Sequence, residues 1–92
     1  MRYEIKYTNA MEKSVKKMRK RGKDLSKLEY ILELLASGDS LPPKYKDHQL
    51  TGNFSGSKEC HIESDWLLIY QIHDNTLILL ALDTGSHSDL FR

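Results

Sequence analysis

After a short alternating stretch at the start, apolar residues along the chain keep helical spacing to about residue 35 and turn to sheet spacing from Gln49 onward. Tyr3, Ile5 and Tyr7 alternate with polar neighbours and predict a short strand over residues 2–7. Met11, Val15 and Met18 then recur at helical spacing, predicting a helix over about 10–20, with Asn9 and Glu12 read as a capping box and Gly22 as its stop. Asp24-Leu25-Ser26 opens a second helix, whose stripe of Leu25, Leu28, Ile31, Leu32 and Leu35 ends before Gly38. Two adjacent helices joined by a short connection predict a hairpin.

Gly38, Pro42 and Pro43 mark a connector, after which the pattern turns to sheet. Strands are expected near Gln49–Leu50 and over Lys58–Glu63, Trp66–His73 and Thr76–Asp83, with Asp74-Asn75 as a two-residue hairpin turn. "WLLIYQI" and "LILLAL" are apolar at successive positions, so both strands are expected to be covered or central. On the strand before them, Cys60 and Ile62 share one face, while Glu59, His61 and Glu63 share the other. That second face sets an imidazole between two carboxylates. The expected architecture is α+β, one domain over residues 1–92: a strand, a two-helix hairpin, then three or four antiparallel strands.

Composition narrows the class. Ninety-two residues with 39% hydrophobic and 29% charged describe an ordinary globular chain with one modest core, so an active site must lie on the surface of that core. Cys60 is the sole cysteine, which excludes an internal disulfide and makes the cytoplasm the expected compartment. The start lacks the apolar core of a signal peptide, and the longest apolar run, Leu77 to Leu82, is too short to span a bilayer.

The net charge of +1 conceals an asymmetry: residues 1–47 hold 12 basic and 7 acidic residues, and residues 48–92 hold 2 and 6. Lys13, Lys16, Lys17, Arg19, Lys20, Arg21 and Lys23 make seven of the eleven residues from 13 to 23 basic, with no acid among them. Such a run attracts nucleic-acid phosphates or an acidic partner, or is simply a solvated helix face.

The four histidines, His48, His61, His73 and His87, are 13, 12 and 14 residues apart, which matches no compact metal-ligand spacing. There is no phosphate-binding glycine loop, no nucleophile elbow and no Cys-x-x-Cys pair. What remains is dispersed: His48, His61, Asp65-Trp66, and a tail "TGSHSDLF" with His87 and Phe91. Imidazoles suit general acid and base work, and aromatic rings can stack on unpaired bases, so the set describes a plausible ribonuclease. Taken singly, Trp66 beside an apolar strand reads as core and Phe91 as a packing latch.

The stretches "LPPKYKDHQLTGNFSGSKECHIESDWLLIYQI" and "LDTGSHSDLF" resemble the YafQ-type branch of the RelE/ParE superfamily of bacterial toxins, and the likeness extends through the preceding strand and helices. That resemblance implies a RelE-like fold and the toxin of a type II toxin-antitoxin system. Such a toxin enters the ribosomal A site and cuts mRNA there by attack of the ribose 2′-hydroxyl on the adjacent phosphate, with no metal or other cofactor. Carried over by position, His48, His61, Asp65 and His87 are catalytic, with His87 as general acid, and Lys58, Trp66 and Phe91 contact RNA. The basic run would meet ribosomal RNA. The implied partners are a cognate antitoxin, the ribosome and mRNA, with operator DNA bound only through the toxin-antitoxin complex and no membrane. Lys58 stands where the family usually has Arg, Phe54 where it has Trp, and Ser64 where it has Pro. Alternatives from other classes are a non-enzymatic inhibitor like the ParE branch, and an inactive relative that binds antitoxin or regulates its own operator.

Overall fold

The computed structural model describes residues 2–91. In chain order it contains β1 (Glu4–Tyr7), α1 (Asn9–Lys20), α2 (Leu25–Ala36), β2 (His48–Gln49), β3 (Lys58–Glu63), β4 (Trp66–His73), β5 (Ile78–Gly85) and α3 (His87–Leu90). Short 3-10 turns at Pro43–Tyr45 and Gly52–Phe54 flank β2.

The helices form because their apolar positions repeat on one side. Met11 and Met18 of α1 are buried, as are Leu28, Ile31, Leu32, Leu35 and Ala36 of α2, and all pack on Trp66, Leu68 and Tyr70 of β4 and Leu79 and Ala81 of β5. Residues two apart on a strand share a face, so this single packing accounts for the spacing of Trp66, Leu68 and Tyr70. Leu67 and Ile69, on the other face of β4, are also fully buried, as expected for a central strand. Among the described residues no helix is long and apolar enough to cross a membrane.

The strands form one five-stranded sheet in the order β1-β5-β4-β3-β2. The antiparallel succession of β2 to β5 follows the sequence reading, with β3 and β4 at the expected residues. β1 instead joins the far edge parallel to β5, Ile5 opposite Leu79, a pairing across more than seventy residues that strand periodicity does not encode.

Three boundaries differ for local reasons. The cap of α1 is Thr8, not Asn9: its hydroxyl accepts the Met11 N–H at 3.0 Å and donates to the Leu82 carbonyl at 2.6 Å, so it ties the helix to the sheet as well as capping it. The turn after β4 spans residues 74–77 rather than two, because Leu77 takes a left-handed conformation (φ 54°) and its carbonyl accepts the Glu4 N–H at 2.8 Å. β5 therefore starts at Ile78 and runs on to Gly85. The third concerns β3, where the pairing register slips between His61 and Glu63. This bulge separates Glu63 from the Glu59–His61 face, and Lys23 and Lys27 hold its two oxygens at 2.9 and 2.8 Å. Glu59 alone stays with the imidazole.

Candidate active site

His48 lies on the edge strand β2, His61 beside it on β3, and His87 is the first residue of α3. The antiparallel register puts His48 opposite Glu59, one turn of pleat from His61, and β5 delivers α3 to the same end of the sheet. The rings converge as a row: His48 and His61 have centroids 6.3 Å apart, and His61 and His87 are 5.8 Å apart. Thirty-nine residues of sequence separate the ends of that row.

Each end is oriented by a different acceptor. His48 Nδ1–H donates to the Lys46 carbonyl at 2.7 Å, which turns Nε2 toward Glu59. Lys46 adopts a left-handed backbone (φ 49°) to present that carbonyl. At the other end, Asp65 Oδ1 accepts both the backbone N–H of His87 at 2.9 Å and its Nδ1–H at 2.6 Å. These two bonds, the backbone one first, hold the Asp65 carboxyl below its ordinary range. A carboxylate fixed to one ring nitrogen leaves the other, Nε2, to exchange protons with a bound molecule.

Glu59 is the site residue that the sequence motifs did not single out. It is only 4% exposed, and its Oε1 lies 3.4 Å from His48 Nε2 and 3.6 Å from His61 Nε2. The available signal was its alternation with His61 on one face of β3. A carboxylate at this distance pairs with either imidazole once that ring carries a proton.

α3 is placed by the basic helix. Asp89 accepts two bonds from Arg21 (2.7 and 3.0 Å), one from Lys17 (3.2 Å) and the Ser86 N–H (2.9 Å), while Ser86 and Asp89 complete a reciprocal capping box. Gly85 makes room for it, since a Cβ there would stand 2.8 Å from the Asp89 Cβ. Arg21 first, then the Ser86 N–H, hold the Asp89 carboxyl far below its ordinary range. A depressed carboxyl stabilises fully above its unfolded value of about 3.9 and loses that contribution as pH falls toward the folded value. The clamp is therefore intact at every pH from neutral down to about 4. Asp89→Asn is expected to cost about 1.5 kcal/mol and to raise amide exchange across residues 87–90 at pH 7. Unchanged exchange there would show that Asp89 does not hold α3.

The remaining candidates fall into two groups. Phe91 is 40% exposed and meets Phe54 edge-on at 5.5 Å, near the α3 end of the row. Trp66 is fully buried, its indole N–H donating to Thr84 Oγ1 at 2.9 Å, so it offers no face to a base and belongs to the core. Lys58 is not brought to the histidines either: it alternates with Cys60 on the opposite strand face, and its ammonium pairs with Asp47 at 2.7 Å, beside the Tyr70 hydroxyl bonded to the same carboxylate. Of the basic run, Lys17 and Arg21 are engaged by Asp89 and Lys23 by Glu63, while Lys13, Lys16, Arg19 and Lys20 are exposed. His73 caps β4 away from the row, against Gln71 at 2.9 Å. Burial pushes the Cys60 thiol up to about 12, which makes it inert.

Three imidazoles at the surface, with Glu59 buried against two of them and Asp65 exposed beside the third, can take and give protons on either side of a phosphodiester. Among the described residues no group of three or more His, Cys, Asp or Glu side chains is arranged to hold a metal ion.

Comparison with known proteins agrees along the whole chain. Residues 3–92 match the family model described as the bacterial toxin of type II toxin-antitoxin systems, YafQ. The mRNA interferase toxin YafQ of Escherichia coli K12 is 42% identical over 89 residues, 96% of this chain and 95% of that one. Among solved structures, a chain of the E. coli DinJ-YafQ toxin-antitoxin complex is 40% identical with a TM-score of 0.90, both chains being covered completely. A metal-bound toxin from Helicobacter pylori is likewise 40% identical, with a TM-score of 0.91 over 99% of this chain and 100% of the other.

Proposed function

We propose, because the chain belongs to the YafQ family of bacterial toxins of type II toxin-antitoxin systems, that its histidine row cuts mRNA on the ribosome by general acid–base catalysis. The observation that carries this is the convergence of His48, His61 and His87, with Glu59 between the first two rings and Asp65 on the third. The E. coli relative named an mRNA interferase supports the substrate class.

In the reaction the ribose 2′-oxygen attacks the adjacent phosphorus and gives up its proton at the His48–Glu59–His61 end. The bond from phosphorus to the 5′-oxygen breaks, and His87 Nε2–H protonates that leaving oxygen. The products are a 2′,3′-cyclic phosphate and a free 5′-hydroxyl. Asp65 is a positioning residue: it keeps the His87 Nδ1–H engaged so that Nε2 faces the substrate. Glu59 balances positive charge on the two facing imidazoles as the proton arrives. Phe91, and the exposed Lys13, Lys16, Arg19 and Lys20, are assigned to RNA, the lysines and arginine to ribosomal RNA phosphates in the A site. An antitoxin partner follows from the family, and the E. coli complex with DinJ supports it.

The donor set is one for proton transfer, and the reaction as written needs no metal. Stripped of bound metal beforehand and added to ribosomes carrying a defined mRNA in the Mg²⁺ that ribosomes themselves require, the protein is expected to leave 2′,3′-cyclic phosphate ends at full rate. A 2′-deoxy sugar at the scissile position should abolish cutting. Cleavage that survives the deoxy substitution, or a metal-stripped protein that cuts only after a transition-metal ion is added back to it, would overturn the mechanism.

A further inference from the structure

A groove of about 610 Å³ opens beside the row, between the first half of α2, the Pro43–Tyr45 turn and the end of β3. His61 lines it, so the groove is continuous with the proposed site of cleavage. We propose that it is a subsite for the nucleotide of single-stranded mRNA next to the scissile phosphate, with Tyr30 stacking on the base and Lys44 and Lys46 meeting the phosphate. This rests on the function proposed above.

The volume falls within the ~300–1,000 Å³ range of small-molecule sites, enough for one nucleotide. Tyr30 is a large ring left 54% exposed on α2 at the groove wall. Tyr45 forms part of the opposite wall, itself packed on the core, with the Lys44 ammonium 5.1 Å from its ring centre. Every base has a π-face, so an exposed ring beside a cationic backbone track binds single strands without choosing a sequence. Charge points the same way: Lys27, Lys44 and Lys46 line the groove, and its one carboxylate, Glu63, is already held by Lys23 and Lys27. Lys46 also links the subsite to the chemistry, since its carbonyl orients His48.

Single-turnover cleavage on ribosomes with a defined mRNA tests the assignment. Tyr30→Ala is expected to raise the protein concentration for half-maximal rate about tenfold, the loss falling on half-saturation rather than on the plateau rate. Tyr30→Phe, which keeps the ring, restores tight half-saturation. Lys44→Gln should flatten the dependence of log affinity on log salt by about 0.7, the loss of one single-strand phosphate contact. An uncleavable 2′-deoxy mRNA with 4-thiouridine next to the scissile position should crosslink within residues 26–46. If the wild type cleaves while Tyr30→Ala, melting normally, shows unchanged half-saturation, the subsite is overturned and the catalytic reading stands. If Tyr30→Ala instead loses only antitoxin affinity, the groove belongs to the antitoxin and the proposal is overturned. A wild type that cuts nothing overturns both.

Discussion

Replacing His87 by alanine is expected to lower ribosome-dependent cleavage about 10³-fold while leaving the melting temperature nearly unchanged. The imidazole is 55% exposed, so its removal opens no cavity. Asp65 still accepts the backbone N–H of residue 87, and Ser86 and Asp89 still cap α3, so the tail keeps its place. What is lost is the proton for the 5′-oxygen, and the barrier rises by the worth of one general acid. Mapping of mRNA ends under single-turnover conditions reads the effect. A His87→Ala protein that cuts within a few-fold of wild type would sink the assignment. Asp65→Asn should lose less, because an amide oxygen can still accept from the ring, though without the charge.

Trp66→Ala is expected to remove about 3–5 kcal/mol of stability, a large share of the ~5–15 kcal/mol of a typical domain. The side chain is fully buried, packs among residues of both helices and the sheet, and satisfies the Thr84 hydroxyl. Trp66→Phe keeps most of the apolar volume, and Thr84 Oγ1 still donates to the Leu67 carbonyl at 2.6 Å, so the cost should be nearer 1–2 kcal/mol. Denaturant titrations measure both, and cleavage per folded molecule for Trp66→Phe should match wild type. A Trp66→Ala protein of normal stability but no activity would return Trp66 to the RNA site.

These two residues mark the limit of reading by position. His87 and Trp66 both belong to motifs that resemble the family, and the motif cannot say which side of the chain each residue presents. Trp66 begins a strand whose Leu68 and Tyr70 face the helices, and the period of two sends it there too. The same period puts Lys58 with Cys60, away from His61, and this was legible once Lys58–Glu63 was read as a strand. The Glu63 reading failed differently. A bulge in β3 breaks the alternation, and nothing local to "HIES" announces one. The seven basic residues share a charge sign but not a job, since Lys17 and Arg21 anchor α3 through an acid about seventy residues away.

The sequence by itself determined α1, α2, β3 and β4, because helix and strand periods are set by neighbours a few residues apart. It also marked, through the likeness of its motifs, His48, His61, Asp65 and His87, which the fold brings together. Only the tertiary structure decided that β1 runs parallel to β5 at the sheet edge, that Glu59 sits buried between two imidazoles, and that Asp65 grips His87 from the β3–β4 turn. It also opened the groove from Tyr30 to His61. Each of those depends on strand register and helix docking between distant segments, where one residue of slip would turn every side chain to the other face.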